Sequence, residues 1–129
     1  MLGRKLAQRL IQDQRIGEHE ITKLTLADIT TPKGLPKFEG AYAEHAMDMG
    51  DPGSAETLIQ QRPDFIFHLA AVVSGEAEAD FEKGYRVNLD STRYLLEAIR
   101  AQKDYCPRVI FTSSIAVFGV PFPDPIPDN

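Results

Sequence analysis

Two short apolar runs, Phe-Ile-Phe-His-Leu at 65–69 and Val-Ile-Phe-Thr at 109–112, flank one long helix-period segment from Glu76 to about Lys103. A strand, a long crossover and a second strand return the chain in the same direction, which gives parallel pairing. This one unit restricts the chain to an α/β architecture. Each run also ends in small residues: Ala70 and Ala71 after the first, Ser113 and Ser114 after the second. At the carboxyl ends of parallel strands, small residues let a ligand approach the backbone closely.

The rest of the chain extends the alternation. Leu2, Leu6 and Leu10, with Ala7 and Ile11 beside them, lie opposite Arg4, Lys5, Gln8, Arg9 and Gln12, so an amphipathic helix is expected from the first residue onward. Residues 21–27 alternate in polarity up to Asp28 and predict a strand, and residues 42–49 predict a short one. Pro32, Gly34, Pro36 and Gly40 make the stretch between them a loop. A further helix is expected from Asp51-Pro52 to about Gln61, with proline near its first turn and Pro63 beyond its end. Val87, Ser91, Leu95 and Ile99 form one stripe of the long helical segment, and Gly84 is expected to break it. Cys106, just before Pro107, is expected to pack at the entry to a strand. Pro121, Pro123, Pro125 and Pro127 end regular structure near Gly119. The predicted order is helix, strand, strand, helix, strand, helix, strand. An α/β alternation ordinarily opens with a strand. The sequence therefore predicts an α/β parallel sheet that lacks its first strand: one partial domain over residues 1–129, with a Pro-rich tail over 120–129.

A chain of 129 residues holds one domain at most. Its 14 basic and 19 acidic side chains give a net charge of −5 with no basic cluster, which disfavours nucleic acid and anionic membranes as partners. No apolar run approaches the roughly 18 residues of a membrane span. One cysteine excludes an internal disulfide and fits a reducing compartment, and the amino terminus lacks the apolar core of a signal peptide. Cytoplasm is the expected location. His19 and His45 have no Cys or His partners at ligand spacing, so no metal site is predicted.

Three stretches carry the chemistry: His68-Leu69-Ala70-Ala71, Arg86-Val87-Asn88-Leu89-Asp90-Ser91-Thr92, and Phe111-Thr112-Ser113-Ser114-Ile115-Ala116-Val117-Phe118-Gly119. Together they resemble the extended short-chain dehydrogenase/reductase family, the NAD-dependent epimerases and dehydratases. The resemblance implies a Rossmann-like doubly wound parallel sheet, truncated so that its first strand and carboxyl-terminal half are missing, with NAD as cofactor and a role for each matching residue. Met1, Leu2 and Gly3 look like the end of a Gly-x-x-Gly-x-x-Gly turn whose helix N-terminus holds the pyrophosphate. Asp28 would accept hydrogen bonds from the adenosine ribose hydroxyls and repel a 2′-phosphate, favouring NAD over NADP. Asp48 and Met49 would border the adenine. Leu69, Ala70 and Ala71 would approach the nicotinamide half, and Ser74 and the 120–127 loop would border cofactor and substrate. Asn88 would pair with backbone near the site. Thr112 and Ser113 would line the cofactor, and Ser114 would be the catalytic hydroxyl.

Plainer readings stand beside these. Asp28 also reads as a strand-ending residue before a Thr-rich turn. Asp48-Met49 reads equally as a strand end with a helix cap at Asp51. His68 reads as a buried, hydrogen-bonded histidine rather than a catalyst. Phe118 sits where many family members have tyrosine. The family's base is a tyrosine in a Tyr-x-x-x-Lys pair, yet Tyr42, Tyr85, Tyr94 and Tyr105 are followed at that distance by Ala46, Leu89, Ala98 and Val109. Val72-Val73-Ser74-Gly75-Glu76-Ala77-Glu78-Ala79 and the 114–128 stretch, together with residues 85–95, resemble members that oxidise a sugar acid. Three readings follow: part of an NAD-dependent oxidoreductase acting on a sugar acid, a non-catalytic dinucleotide-binding module, or part of a sugar-nucleotide epimerase or dehydratase. The parent enzyme is expected to be a homo-oligomer.

Overall fold

The computed structural model describes residues 2–119. The amphipathic opening forms helix α1 (Leu2–Asp13), which buries Ala7 and Ile11. Gln14 adopts a positive φ of 51° and ends the helix. A small antiparallel hairpin follows, β1 (Arg15–Ile16) with β2 (His19–Glu20), turning at Gly17 with φ 58°. The expected second strand is β3 (Lys23–Asp28), and it pairs in parallel with β4 (Ala41–Ala46), from Lys23 opposite Ala41 to Asp28 opposite Ala46. β4 ends three residues short of the expected boundary, because Asp48 starts a turn in which the Asp51 N–H bonds the Asp48 carbonyl at 3.1 Å.

Helix α2 (Ser54–Ile59) is shorter than the 51–61 expected. Its N-cap is Gly53 at φ 90°, a left-handed conformation that costs glycine little and other residues more. Asp51 therefore does not cap the helix with its side chain, and Pro52 lies outside it. Strand β5 (Phe65–His68) pairs in parallel with β6 (Arg108–Phe111), Phe65 opposite Arg108 and His68 opposite Phe111. Before β6, Cys106 is exposed rather than packed.

The long crossover departs most from expectation. It divides into α3 (Ser74–Ala79), α4 (Phe81–Tyr85), a π turn (Arg86–Asp90) and α5 (Ser91–Ala101). The break falls at Asp80, not at Gly84. Asp80 leaves helical geometry and its carboxylate accepts the Lys83 N–H at 3.0 Å, a side-chain N-cap for α4. Gly84 is buried inside α4, where an added Cβ would lie 2.9 Å from the Ala77 Cβ. It lets α3 and α4 touch instead of separating them. A short 3-10 helix (Ile115–Phe118) closes the described part.

Alternation along β3 places helices on both faces of the sheet. Leu24 packs with Ile11 of α1 and with Phe38 from the following loop, and Leu26 joins their edge. Thr25 points the other way and its hydroxyl meets Gln61, just past α2, at 3.3 Å. A second core forms where α2 meets α5: Ala55 and Ile59 against Leu95 and Ala98, with Met49, Ile66 and Tyr105 at its margin. The result is an α/β Rossmann-like parallel-sheet fold. Among the described residues the β3–β4 and β5–β6 pairs are separate hydrogen-bonded ladders, and no helix there is long and apolar enough to cross a membrane.

Candidate functional site

Helix α1 reaches across both parallel pairs. Its Ile11 lies on β3, while at its N-terminus Gly3 approaches the residue after β5: a Cβ on Gly3 would sit 3.9 Å from the Leu69 Cδ1. That is ordinary contact distance, so packing among the described residues does not by itself demand glycine there. Leu2 stands exposed. Met1 and the 120–127 loop, both assigned above to cofactor or substrate, lie outside the described residues, as does the Pro-rich tail.

The β5–β6 register brings the two small-residue motifs to one level. His68 pairs with Phe111, so Leu69 and Thr112 leave the sheet side by side, and the Thr112 N–H points back to the His68 carbonyl at 3.5 Å. Ala70 and Ala71 are exposed, as are Thr112, Ser113 and Ser114. Ser114 has extended backbone, and its Oγ accepts the Ala116 N–H at 3.2 Å, starting the 3-10 helix. A hydroxyl that accepts this bond keeps its own proton to donate. Ser74, the first residue of α3, is also exposed.

Asn88 reaches the same loop from the π turn. Its Oδ1 accepts the Val72 N–H at 2.9 Å and its Nδ2 donates to the Val72 carbonyl at 3.0 Å. One amide thus satisfies both polar groups of one backbone residue. Beneath the loop, His68 is buried, its Nε2 lies 3.0 Å from the Thr92 hydroxyl, and its ring stacks on Phe111 with centroids 5.8 Å apart. Burial pushes its pKa below the ordinary histidine value. This is the buried, bonded histidine of the plainer reading.

Asp28 ends β3 with an exposed carboxylate, one oxygen of which accepts the Thr30 N–H at 3.3 Å. Asp48 and Met49 sit differently. Met49 packs at the edge of the α2–α5 core. The Asp48 carboxylate accepts the Gly50 N–H at 2.8 Å and the Arg86 Nη1 at 2.8 Å, and the same guanidinium nitrogen reaches Asp51 at 3.1 Å. Burial alone would raise the Asp48 pKa, but the Gly50 and Arg86 bonds outweigh it and hold the carboxyl below its ordinary value. The structure thus gives Asp48 and Met49 anchoring contacts of their own at this turn.

Arg86, Val72 and Thr92 are the residues that sequence reasoning missed. Two acids three residues apart, Asp48 and Asp51, could have pointed to a cation but not to its place in the chain. Thr92, four residues after Asn88, shares its helix face, and that spacing was a usable signal. Neither Tyr42 nor Tyr105 suits the role of base. Burial, then the bonded Glu44 carboxylate, pushes Tyr42 up to about 12. Burial also raises Tyr105, whose hydroxyl donates to the Pro63 carbonyl at 2.6 Å.

The chain is similar to known proteins. D-erythronate dehydrogenase of Cupriavidus necator is 42% identical over 132 residues, covering 99% of this chain and 40% of that protein. D-erythronate dehydrogenase of Haemophilus influenzae is 36% identical over 128 residues, covering 99% of this chain and 39% of that protein. This chain therefore spans about 40% of the length of these curated relatives. The crystal structure of the nucleoside-diphosphate-sugar epimerase from Agrobacterium tumefaciens superposes with a TM-score of 0.87 at 56% identity, over 98% of this chain and 38% of that one. The family profile described as NAD dependent epimerase/dehydratase matches residues 1–129, and the chain belongs to that family.

Proposed function

We propose that this chain supplies the cofactor-binding part of an NAD-dependent oxidoreductase that acts on a sugar acid of the D-erythronate kind. The observation that carries the reading is the level meeting of two strand ends: exposed Ala70 and Ala71 beside Thr112, Ser113 and Ser114, with the α1 N-terminus against Leu69. An extended cofactor would lie there. Its pyrophosphate would lie at Leu2 and Gly3, its ribose at the exposed Asp28 carboxylate, and its nicotinamide half along residues 69–71 and 112–113. NAD, when bound, accepts hydride from a substrate C–H bond. Ser114 donates its free proton as a hydrogen bond to the oxygen on that carbon and holds it in line. The hydroxyl proton must leave to a base, and no tyrosine here has the Tyr-x-x-x-Lys pattern that serves the family.

The epimerase name carried by the superposed structure favours a second reading, part of a sugar-nucleotide epimerase. This chain alone is expected to be inactive for want of that base, so assays of the complete enzyme to which it would belong separate the two. The first reading expects NADH to appear with D-erythronate and NAD, and much less product with NADP. Asp28→Ala should weaken NAD and narrow that preference, while Ser114→Ala should lower turnover by about 10²-fold with little change in cofactor affinity. Interconversion of a nucleotide sugar without net NADH would move the assignment to the epimerase. Cofactor binding with no turnover of either substrate would leave a non-catalytic module.

A further inference from the structure

The π turn and the buried histidine are joined by one side chain. At the turn the Ser91 N–H bonds the Arg86 carbonyl, five residues back. Widening a helix in this way disturbs the regular ladder, and side chains commonly bond the carbonyls concerned. Here two consecutive hydroxyls do so: Ser91 Oγ donates to the Val87 carbonyl at 2.5 Å, and Thr92 Oγ1 lies 3.4 Å from the Asn88 carbonyl. Thr92 has a second, closer partner in the His68 Nε2 at 3.0 Å. A neutral imidazole carries one N–H, and a hydroxyl has one proton. If the Thr92 proton goes to the Asn88 carbonyl, the His68 proton must sit on Nε2 and point at Thr92.

We infer that Thr92 is a positioning residue for residues 69–73. Its hydroxyl ties the end of β5, through His68, to the π turn that carries Asn88, and Asn88 holds Val72 by both backbone groups. The loop is thereby fixed at both ends: at His68 from below and at Val72 from the helix. The inference rests on the cofactor reading for its consequence, because residues 69–71 are the segment assigned to the nicotinamide half. Its geometry stands without that reading.

Thr92→Val keeps shape and removes the hydroxyl; Thr92→Ser restores it. In the full chain, Thr92→Val should speed amide exchange at Val72 by about 3- to 10-fold, the range for losing one net hydrogen bond. Exchange in β3 should stay unchanged. Nitrogen NMR of the imidazole should show one fixed His68 tautomer in the parent and a mixture in Thr92→Val. Thr92→Ser should recover both signatures. NAD affinity should fall by a similar factor in Thr92→Val. Unaltered Val72 exchange or equal acceleration in β3 would each overturn the inference. So would equal NAD affinity once Val72 has loosened. Should the parent bind no NAD while Thr92→Val still loosens Val72, the cofactor reading falls and the positioning role stands.

Discussion

Asn88 shows how much one side chain can decide. Its amide offers an acceptor and a donor to the two polar groups of Val72. Asn88→Asp keeps the shape but sets a second acceptor against the Val72 carbonyl. We expect it to cost about 1–2 kcal/mol, read as a lower denaturation midpoint with unchanged slope. An unmoved midpoint would remove this clamp from the structure. That the amide needed a partner was legible in the sequence, since it sits beside an apolar stripe. The partner was not, because Val72 lies on a loop after a different strand and backbone groups leave no trace in residue identity. The buried His68 makes a prediction about pH. Its folded pKa is lowered by burial, so its contribution to stability is complete above the ordinary value near 6.5 and is lost as pH falls from there toward the lowered value. Urea midpoints at about pH 7.5 and about pH 5.5 should differ more for the parent than for His68→Gln, which cannot take up the proton. Equal differences would mean that His68 takes up its proton as readily folded as unfolded.

At the scale of elements, residues 48–51 and the π turn interlock. An added Cβ on Gly50 would lie 2.8 Å from the Arg86 Cγ and 3.0 Å from the Arg86 carbonyl. Gly50→Ala must therefore push the turn and the helix apart. The expected cost is about 1–3 kcal/mol, as for other overpacked sites, together with loss of the Arg86–Asp48 bond. A crystal structure of the variant, with that distance still near 2.8 Å, would refute the crowding account. Strands β5 and β6 were visible from their apolar runs, β3 from its alternation, and α1 from its period. The hairpin was not, since two residues per strand are too few to show alternation. The position of the helix break was hidden for a different reason. Gly84 carries the statistical signal for a break, but its missing side chain serves packing on Ala77, while Asp80 supplies the cap that restarts the helix. The ion pair of Asp48 with Arg86, 38 residues apart, has no spacing rule that a sequence could display.

At the scale of the whole molecule, α1 links the β3–β4 pair to the end of β5, and the proposed cofactor would lie across the same line. Ligand binding should then stabilise the assembly as a unit. With NAD at about 100 times its dissociation constant, unfolding should be opposed by about 2.7 kcal/mol more, seen as one upward shift of a single thermal transition. A shift that splits the transition in two would mean that the two strand pairs unfold independently. The continuous helix from Phe81 to Ala101 faces two separate demands within this assembly. Its first part must aim Arg86 and Asn88 at the turn and the loop, and its last part must bury Leu95 and Ala98 against α2. A uniform helix advances about 100° per residue and locks the two faces into one phase. The π turn acts as a phase shifter, so that each face can be aimed without disturbing the other. Removing one residue from 86–90 would restore a uniform helix and rotate Asn88 away from Val72 while α5 keeps Leu95 buried, trading the loop's anchor for helical regularity.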